Sequence, residues 1–484
     1  MFIFVEIKTL SMKKITLLFI FIYQISFSQT PCDAGFAGIF PCDGLDLMSF
    51  IPVSTFGSTA GNDIWGWTDP VTNKEYALFG DRSNTAFLDV TDPVNPIYLG
   101  KLDKTAGTYP STWRDIKVYN NYAFIVSEAS GHGMQVFDLT KLRNVVNPPV
   151  VFTEDAHDSS FGKAHNIVIN EANGYAYIVG SATNNGGPIF INIQDPLNPV
   201  NEGSYDLEGY SHDAQVITYH GQDTAHVGKE LYIGAHETSV VIIDVTDKTN
   251  PVKIAEMFYA NTAYTHQVWI DENHQYLYCN DEIDETNFGF NTRNIVFDLS
   301  DLDNPVLHHQ YYGETTAIDH NNYVKGNDLY LANYAAGLRI IDISDIGNQN
   351  MNETSFFDTY PEDDVADYNG IWSVYPYFAS GNIIISDYTR GFFIVRDSNN
   401  PLNVNENTKE LTSIYPNPAH NRLKINSNKA HINKIEILDI LGKQLLLKNN
   451  LLSLNKYDLD ISTLKKGFYF IRINDSYSRN FSKN

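Results

Sequence analysis

The sequence predicts an all-β chain whose main body is a seven-bladed β-propeller, and three observations carry that expectation. A short alternating strand ending in an Asp-, Asn- and Pro-rich turn recurs seven times, a strand opened by His, Arg or Asn recurs ahead of it, and a third strand signal lies between the two. A period of roughly 40–50 residues marks a propeller or a solenoid. Four antiparallel strands repeated around an axis make a propeller; a parallel solenoid is the competing fold, with usually shorter repeats.

The turn-bearing strand is clearest at Ile242-Ile243-Asp244-Val245-Thr246-Asp247, with Asn250-Pro251 behind it, and variants lie at 87–93, 136–140, 190–196, 296–301, 340–345 and 394–397. The opening strand reads Arg114-Asp115-Ile116, His165-Asn166-Ile167, His212-Asp213-Ala214, His266-Gln267-Val268 and His320-Asn321-Asn322, with weaker copies at Asn62-Asp63-Ile64 and Gly370-Ile371-Trp372. Runs such as Tyr122-Ala123-Phe124 and Tyr276-Leu277-Tyr278 supply the strand between, and Ile97-Tyr98-Leu99 or Val252-Lys253-Ile254 the fourth. The last copy stops at Pro401 without its fourth strand, while Leu47-Met48-Ser49-Phe50-Ile51-Pro52 precedes the first. This N-terminal strand is expected to complete the seventh blade and so remove the open edge.

Outside the repeats the chain reads differently. Met12-Lys13-Lys14, an apolar run from Ile15 to Ile25, and Ser26 and Ser28 form a secretory signal peptide over residues 1–28, with Met12 a possible start. No other run approaches the roughly 20 apolar residues of a membrane span. The propeller is expected over 29–402 and a small β-sandwich-like domain over 403–484. Charge follows the same division: the total is −25, residues 30–402 hold −33, and the tail is basic. So acidic a body disfavours nucleic acid and anionic membranes and favours cations or basic partners.

Cys32 and Cys42 lie close together just past the predicted cleavage site, which in an exported protein suggests a disulfide. Cys279, within a strand signal, is expected to be a buried small hydrophobe.

Four consecutive copies place His at the start of the innermost strand: His165, His212, His266 and His320, with Arg114 in the matching position of the copy before. Converging on the axis, they could hold a transition metal or, with Arg114, an anionic ligand; alternatively they bond neighbouring backbone and fix the packing between blades. Asp213 and Asp319 could orient the imidazoles or act as base, and His132 is placed on the same face. The acidic stretches 154–158, 280–285 and 362–364 offer oxygen ligands suited to calcium, without EF-hand spacing. A nucleophile elbow, a His-Glu-x-x-His helix and a phosphate loop are all missing from the sequence.

Two resemblances join these readings. Tyr415-Pro416-Asn417-Pro418, Asp439-Ile440-Leu441-Gly442-Lys443 and Lys466-Gly467-Phe468-Tyr469-Phe470-Ile471 occur in the order found in the type A C-terminal sorting domain of the type IX secretion system of Bacteroidota. That resemblance implies export to the surface or exterior, with the secretion machinery as partner. Trp113-Arg114-Asp115-Ile116-Lys117-Val118, Gly131-His132-Gly133-Met134-Gln135, Ala164-His165-Asn166-Ile167, Ser211-His212-Asp213-Ala214-Gln215 and Ala317-Ile318-Asp319-His320-Asn321, with the Cys32 and Cys42 segment, resemble the choice-of-anchor B family. Its propeller is made of LVIVD-type repeats, and it implies no particular activity. The expectation is a surface propeller binding an extracellular ligand or protein. The rivals are a metal-dependent hydrolase or lyase at the His ring, and a purely structural surface protein.

Overall fold

The computed structural model describes residues 29–398, 412–427, 432, 434–438, 443–449, 456–473 and 477–484. The expected signal peptide lies outside these residues, as do Pro401 and the Asp439-Ile440-Leu441-Gly442 part of the tail motif. The chain forms two compact units, one up to residue 399 and one from residue 400 on.

The first unit is all-β and propeller-like, with seven sheets of at least four strands. Their first strands are Gly61–Thr68, Arg114–Tyr119, Asn166–Asn170, Asp213–Thr218, Thr265–Ile270, Asn321–Lys325 and Ile371–Tyr375. Each first strand packs against the next, and Ile371–Tyr375 packs against Gly61–Thr68. Leu45–Pro52 is the fourth strand of the last sheet, antiparallel to Gly391–Asp397. Apolar clusters fill the spaces between neighbouring sheets; one joins Ile233, Ile242 and Val268 to Leu277 and Ile295.

The recurring turn has a direct chemical cause. A carboxylate at the end of the third strand accepts from the backbone N–H two residues on, as in Asp89 to Thr91, Asp244 to Thr246 and Asp342 to Ser344. A second Asp then takes the side-chain amide of the following Asn, as in Asp92 with Asn95 and Asp301 with Asn304. These Asx turns explain why Asp and Asn recur at fixed offsets. Beside them the pairing of third and fourth strands slips by one residue, at Phe87/Leu88, Ile242/Ile243 and Ile340/Ile341 among others, a bulge that sharpens the twist of the outer edge.

The second sheet departs from the expected order. Val150–Phe152, the fourth strand by position, pairs parallel to Ile97–Asp103 of the preceding sheet. Ala156–Asp158, part of an acidic stretch read from the sequence as a source of oxygen ligands, takes its place beside Met134–Asp138. Gly100 permits the added strand: a Cβ there would meet the Val150 carbonyl at 2.2 Å.

At the N-terminus Cys32 and Cys42 form a disulfide, and Phe40–Asp43 extends the sixth sheet by pairing with Asn352–Phe357. Cys279 is buried and free. The second unit, described by itself, has a three-stranded and a four-stranded antiparallel sheet around Leu423, Ile425, Ile435, Ile437 and Ile471.

Candidate functional site

The four histidines stand side by side where the innermost strands begin. Ring centroids are 4.0 Å apart from His165 to His212, 4.2 Å from His212 to His266 and 4.4 Å from His266 to His320. Each contact spans two neighbouring sheets, so the row follows the ring of first strands.

Backbone fixes their orientation. His212 donates from Nδ1 to the His266 carbonyl (3.0 Å), His266 to that of His320 (2.8 Å) and His320 to that of Trp372 (2.5 Å). His165 instead bonds the Glu128 carboxylate at 2.7 Å. Burial holds His212 and His266 well below the ordinary imidazole pKa and brings His320 down to about 3. These three rings are therefore neutral at physiological pH, with the proton on Nδ1 and a lone pair on Nε2.

Those lone pairs meet a carboxylate. Glu282 stands 3.7 Å from His266 Nε2 through one oxygen and 3.7 Å from His320 Nε2 through the other. Tyr334 donates to it at 3.1 Å, and burial lifts its pKa to about 7. A separation of 3.7 Å is too long for a hydrogen bond and shorter than the roughly 4.1 Å reached by two zinc–ligand bonds laid end to end. One ligand atom from each of His266, Glu282 and His320 lies within 4.8 Å of the other two. The imidazole N–H on a backbone carbonyl is the outer-shell arrangement that orients metal-binding histidines.

Of the remaining candidates, Arg114 and Asp213 border the same small space as the histidines, while His132 and Asp319 are not part of its lining. Arg114 is buried and turns to His132, whose Nε2 lies 3.1 Å from Nη1, and to the Asp81 carbonyl. His132 uses its other nitrogen on the Gly133 carbonyl. Asp213 and Asp319, offered from the sequence to orient the imidazoles or act as base, are hydrogen-bonded to none of them, because backbone carbonyls hold the Nδ1 positions of His212, His266 and His320. Asp213 accepts from the Ala214 N–H. Asp319 accepts from Asn280 in a buried group near Asp284 and Glu285, where Arg293 bonds Asp284.

Lys117 borders both the space among the histidines and a larger cavity, 2.5 Å from Asp115 and 3.4 Å from Asp63. The larger cavity, of about 590 Å³, opens among Trp65, Trp67, Trp269, Tyr375 and Tyr377. Sequence reasoning missed this cavity, and it missed Glu128 and Tyr334; Glu282 enters it only within the acidic stretch 280–285, as an oxygen ligand suited to calcium, apart from the histidines. The three residues do share a signal: each follows directly on the second strand of its sheet, after Ser127, Asp281 and Asn333.

Residues 413–483 match the secretion system C-terminal sorting domain, and residues 112–131, 221–259 and 321–359 match the LVIVD repeat. No curated protein matches the chain. Among solved structures it is similar to PorZ, a surface component of the type IX secretion system of Porphyromonas gingivalis, at 11% identity and a TM-score of 0.46 over 85% of this chain and 58% of PorZ. It thus spans less than two thirds of that chain. It is similar to the β-propeller domain of Cps50 (Swd1) from Myceliophteria thermophila, at 11% identity and TM-score 0.49 over 72% of this chain and 99% of that one. A third is the extracellular domain of the putative one-component system BT4673 from B. thetaiotaomicron, at 14% identity and TM-score 0.48 over 90% and 59%. The chain carries LVIVD repeats and a type IX secretion sorting domain, which place it outside the cell or at its surface.

Proposed function

We propose that this is an exported binding protein whose LVIVD body, residues 29–402, is a seven-bladed propeller closed by Leu45–Pro52, and which holds a divalent transition-metal ion on His266, His320 and Glu282. The ordered motifs support grouping it with choice-of-anchor B proteins, and residues 1–28 act as its signal peptide. One observation carries the metal reading: two Nε2 lone pairs, locked by Nδ1 bonds to backbone, face the two oxygens of one carboxylate across 3.7 Å. Imidazole and carboxylate together suit zinc, nickel or copper.

The space that the four histidines line together with Arg114 and Asp213 is about 20 Å³, room for about one water, which favours binding or structural use of an ion over hydrolase or lyase chemistry.

The test is elemental analysis of the purified protein, followed by calorimetric titration of the metal-stripped protein with Zn²⁺, Ni²⁺ and Ca²⁺. One equivalent of a transition metal, lost in Glu282→Gln and His320→Asn, is the expected result. Calcium uptake indifferent to both substitutions would move the site to the acidic stretches, and no uptake would leave the histidines as packing groups only.

A further inference from the structure

The cavity lined by Trp65 and Trp269 meets the space among the histidines only at Lys117 and is separate from the metal reading. Its floor is Lys117, which is neutralised by Asp115 and Asp63 and lies 4.6 Å from the centre of the Trp65 ring, so it presents no free positive charge to an anion. Its walls are aromatic, and the rings are braced against each other: Trp65 meets Tyr375 edge-on at 5.2 Å, and Trp269 lies 6.3 Å from Tyr377 with the ring planes 29° apart. Trp67 and Tyr377 spend their polar hydrogens on Asn121 and the Val324 carbonyl. The indole N–H groups of Trp65 and Trp269 make no hydrogen bond among the described residues, and both rings are part-exposed to the cavity. Gln215 holds the Ile270 N–H through its carbonyl oxygen, which aims its amide group, and Glu171 stands exposed at the rim.

The cavity does not end at this wall. A shallower depression of about 360 Å³ shares Gln215, Trp269 and Tyr377 with it and continues past His274, so Trp269 stands between two contiguous subsites. Small-molecule pockets span roughly 300–1,000 Å³ and combine apolar walls with a few placed polar groups. A lone ammonium cage needs only rings within about 6 Å of one cation, and this groove is far longer. Flat aromatic faces with free N–H donors, amides and a carboxylate acceptor suit a chain of pyranose rings, whose C–H faces stack while their hydroxyls bond at the edges.

We infer that the groove along Trp65 and Trp269 binds a neutral oligosaccharide. The probes are cellohexaose, xylohexaose, maltohexaose and chitohexaose, titrated by calorimetry and tryptophan fluorescence into the full mature chain, with chelator present so that the outcome is independent of the metal. Saturable binding of at least one is expected, weakened at least tenfold in Trp269→Ala and partly restored in Trp269→Phe. Glu171→Gln, which leaves the wall intact, is expected to weaken it several-fold with unchanged melting temperature. The inference is overturned if none of the four binds, if binding survives Trp269→Ala and Trp65→Ala, or if tetramethylammonium binds the groove and the sugars do not.

Discussion

His266 donates its Nδ1 hydrogen to the backbone carbonyl of His320, 2.8 Å away in the next sheet. The same imidazole therefore ties two sheets together and directs its Nε2 lone pair at Glu282. The packing role and the metal role weighed from the sequence are two ends of one ring, and they can be separated by substitution. His266→Ala leaves a buried carbonyl without its donor, which costs about 1–3 kcal/mol and should lower the melting temperature while abolishing metal uptake. His266→Asn places an amide N–H near the Nδ1 position without an Nε2 ligand, so it should keep most of the stability and still lose the metal. Paired calorimetry and thermal melts of the two variants distinguish these outcomes.

His132 makes the first unit sensitive to acid. Burial, with the Arg114 charge beside it, brings its pKa down to about 3, against about 6.5 in an unfolded chain. Below pH 6.5 the unfolded state takes up a proton that the folded state refuses, so stability is complete above that value and declines as pH falls toward 3, by about 1.4 kcal/mol per unit from this site alone. His132→Gln, able to accept from Arg114 and donate to Gly133, should give a shallower decline between pH 6.5 and 4. Melting temperatures measured across that range provide the check.

The sequence made the sheets legible because their determinants are local. Alternating apolar residues, Asx turns and Asn-Pro pairs repeat within each copy, and even Leu45–Pro52 showed itself as an orphan strand. The exchange of Val150–Phe152 for Ala156–Asp158 was hidden, since it depends on the missing side chain at Gly100 in another sheet. The histidine row could be read because the same position recurs, whereas the directions of Asp213 and Asp319 depend on which neighbour reaches Nδ1 first. The aromatic groove was illegible for a related reason: Trp65, Trp269 and Tyr375 come from the first, fifth and seventh sheets, and nothing in their separate surroundings marks them as one wall.

Lys117 should be among the costliest positions to change. Burial raises the pKa of Asp63 well above the usual range; at Asp115 burial acts in the same direction but is outweighed by Lys117 together with the hydrogen bonds from Asp63 and the Ile167 N–H, and the pKa falls. Lys117→Met would leave a buried carboxylate without its cation, at a cost of about 3–5 kcal/mol. Asp213, raised to about 7 by burial and by Asp115, binds a proton in the folded state that the unfolded chain releases near pH 4. Its presence thus lowers stability as pH rises from about 4 to 7. Asp213→Asn is expected to stabilise the protein at pH 8 and to be close to neutral at pH 4, as read by urea denaturation at the two values.

The disulfide acts where the N-terminal segment joins two sheets. Phe40–Asp43 lies on Asn352–Phe357 in the sixth sheet, and after Gly44 the chain continues as Leu45–Pro52 on Gly391–Asp397 in the seventh. The bond between Cys32 and Cys42, ten residues apart, restricts the unfolded chain and anchors the start of this strap, a contribution of about 2–3 kcal/mol for so short a loop. Replacing both cysteines by serine should lower the melting temperature by several degrees, and reductant should bring the wild type to the same value while leaving the variant unchanged. If the strap closes the ring of sheets, hydrogen exchange in the variant should rise first along Leu45–Pro52 and Gly391–Asp397, ahead of the third to fifth sheets. Uniform acceleration across all seven sheets would show instead that the strap is one edge strand among many and that closure rests on the contact of Ile371–Tyr375 with Gly61–Thr68.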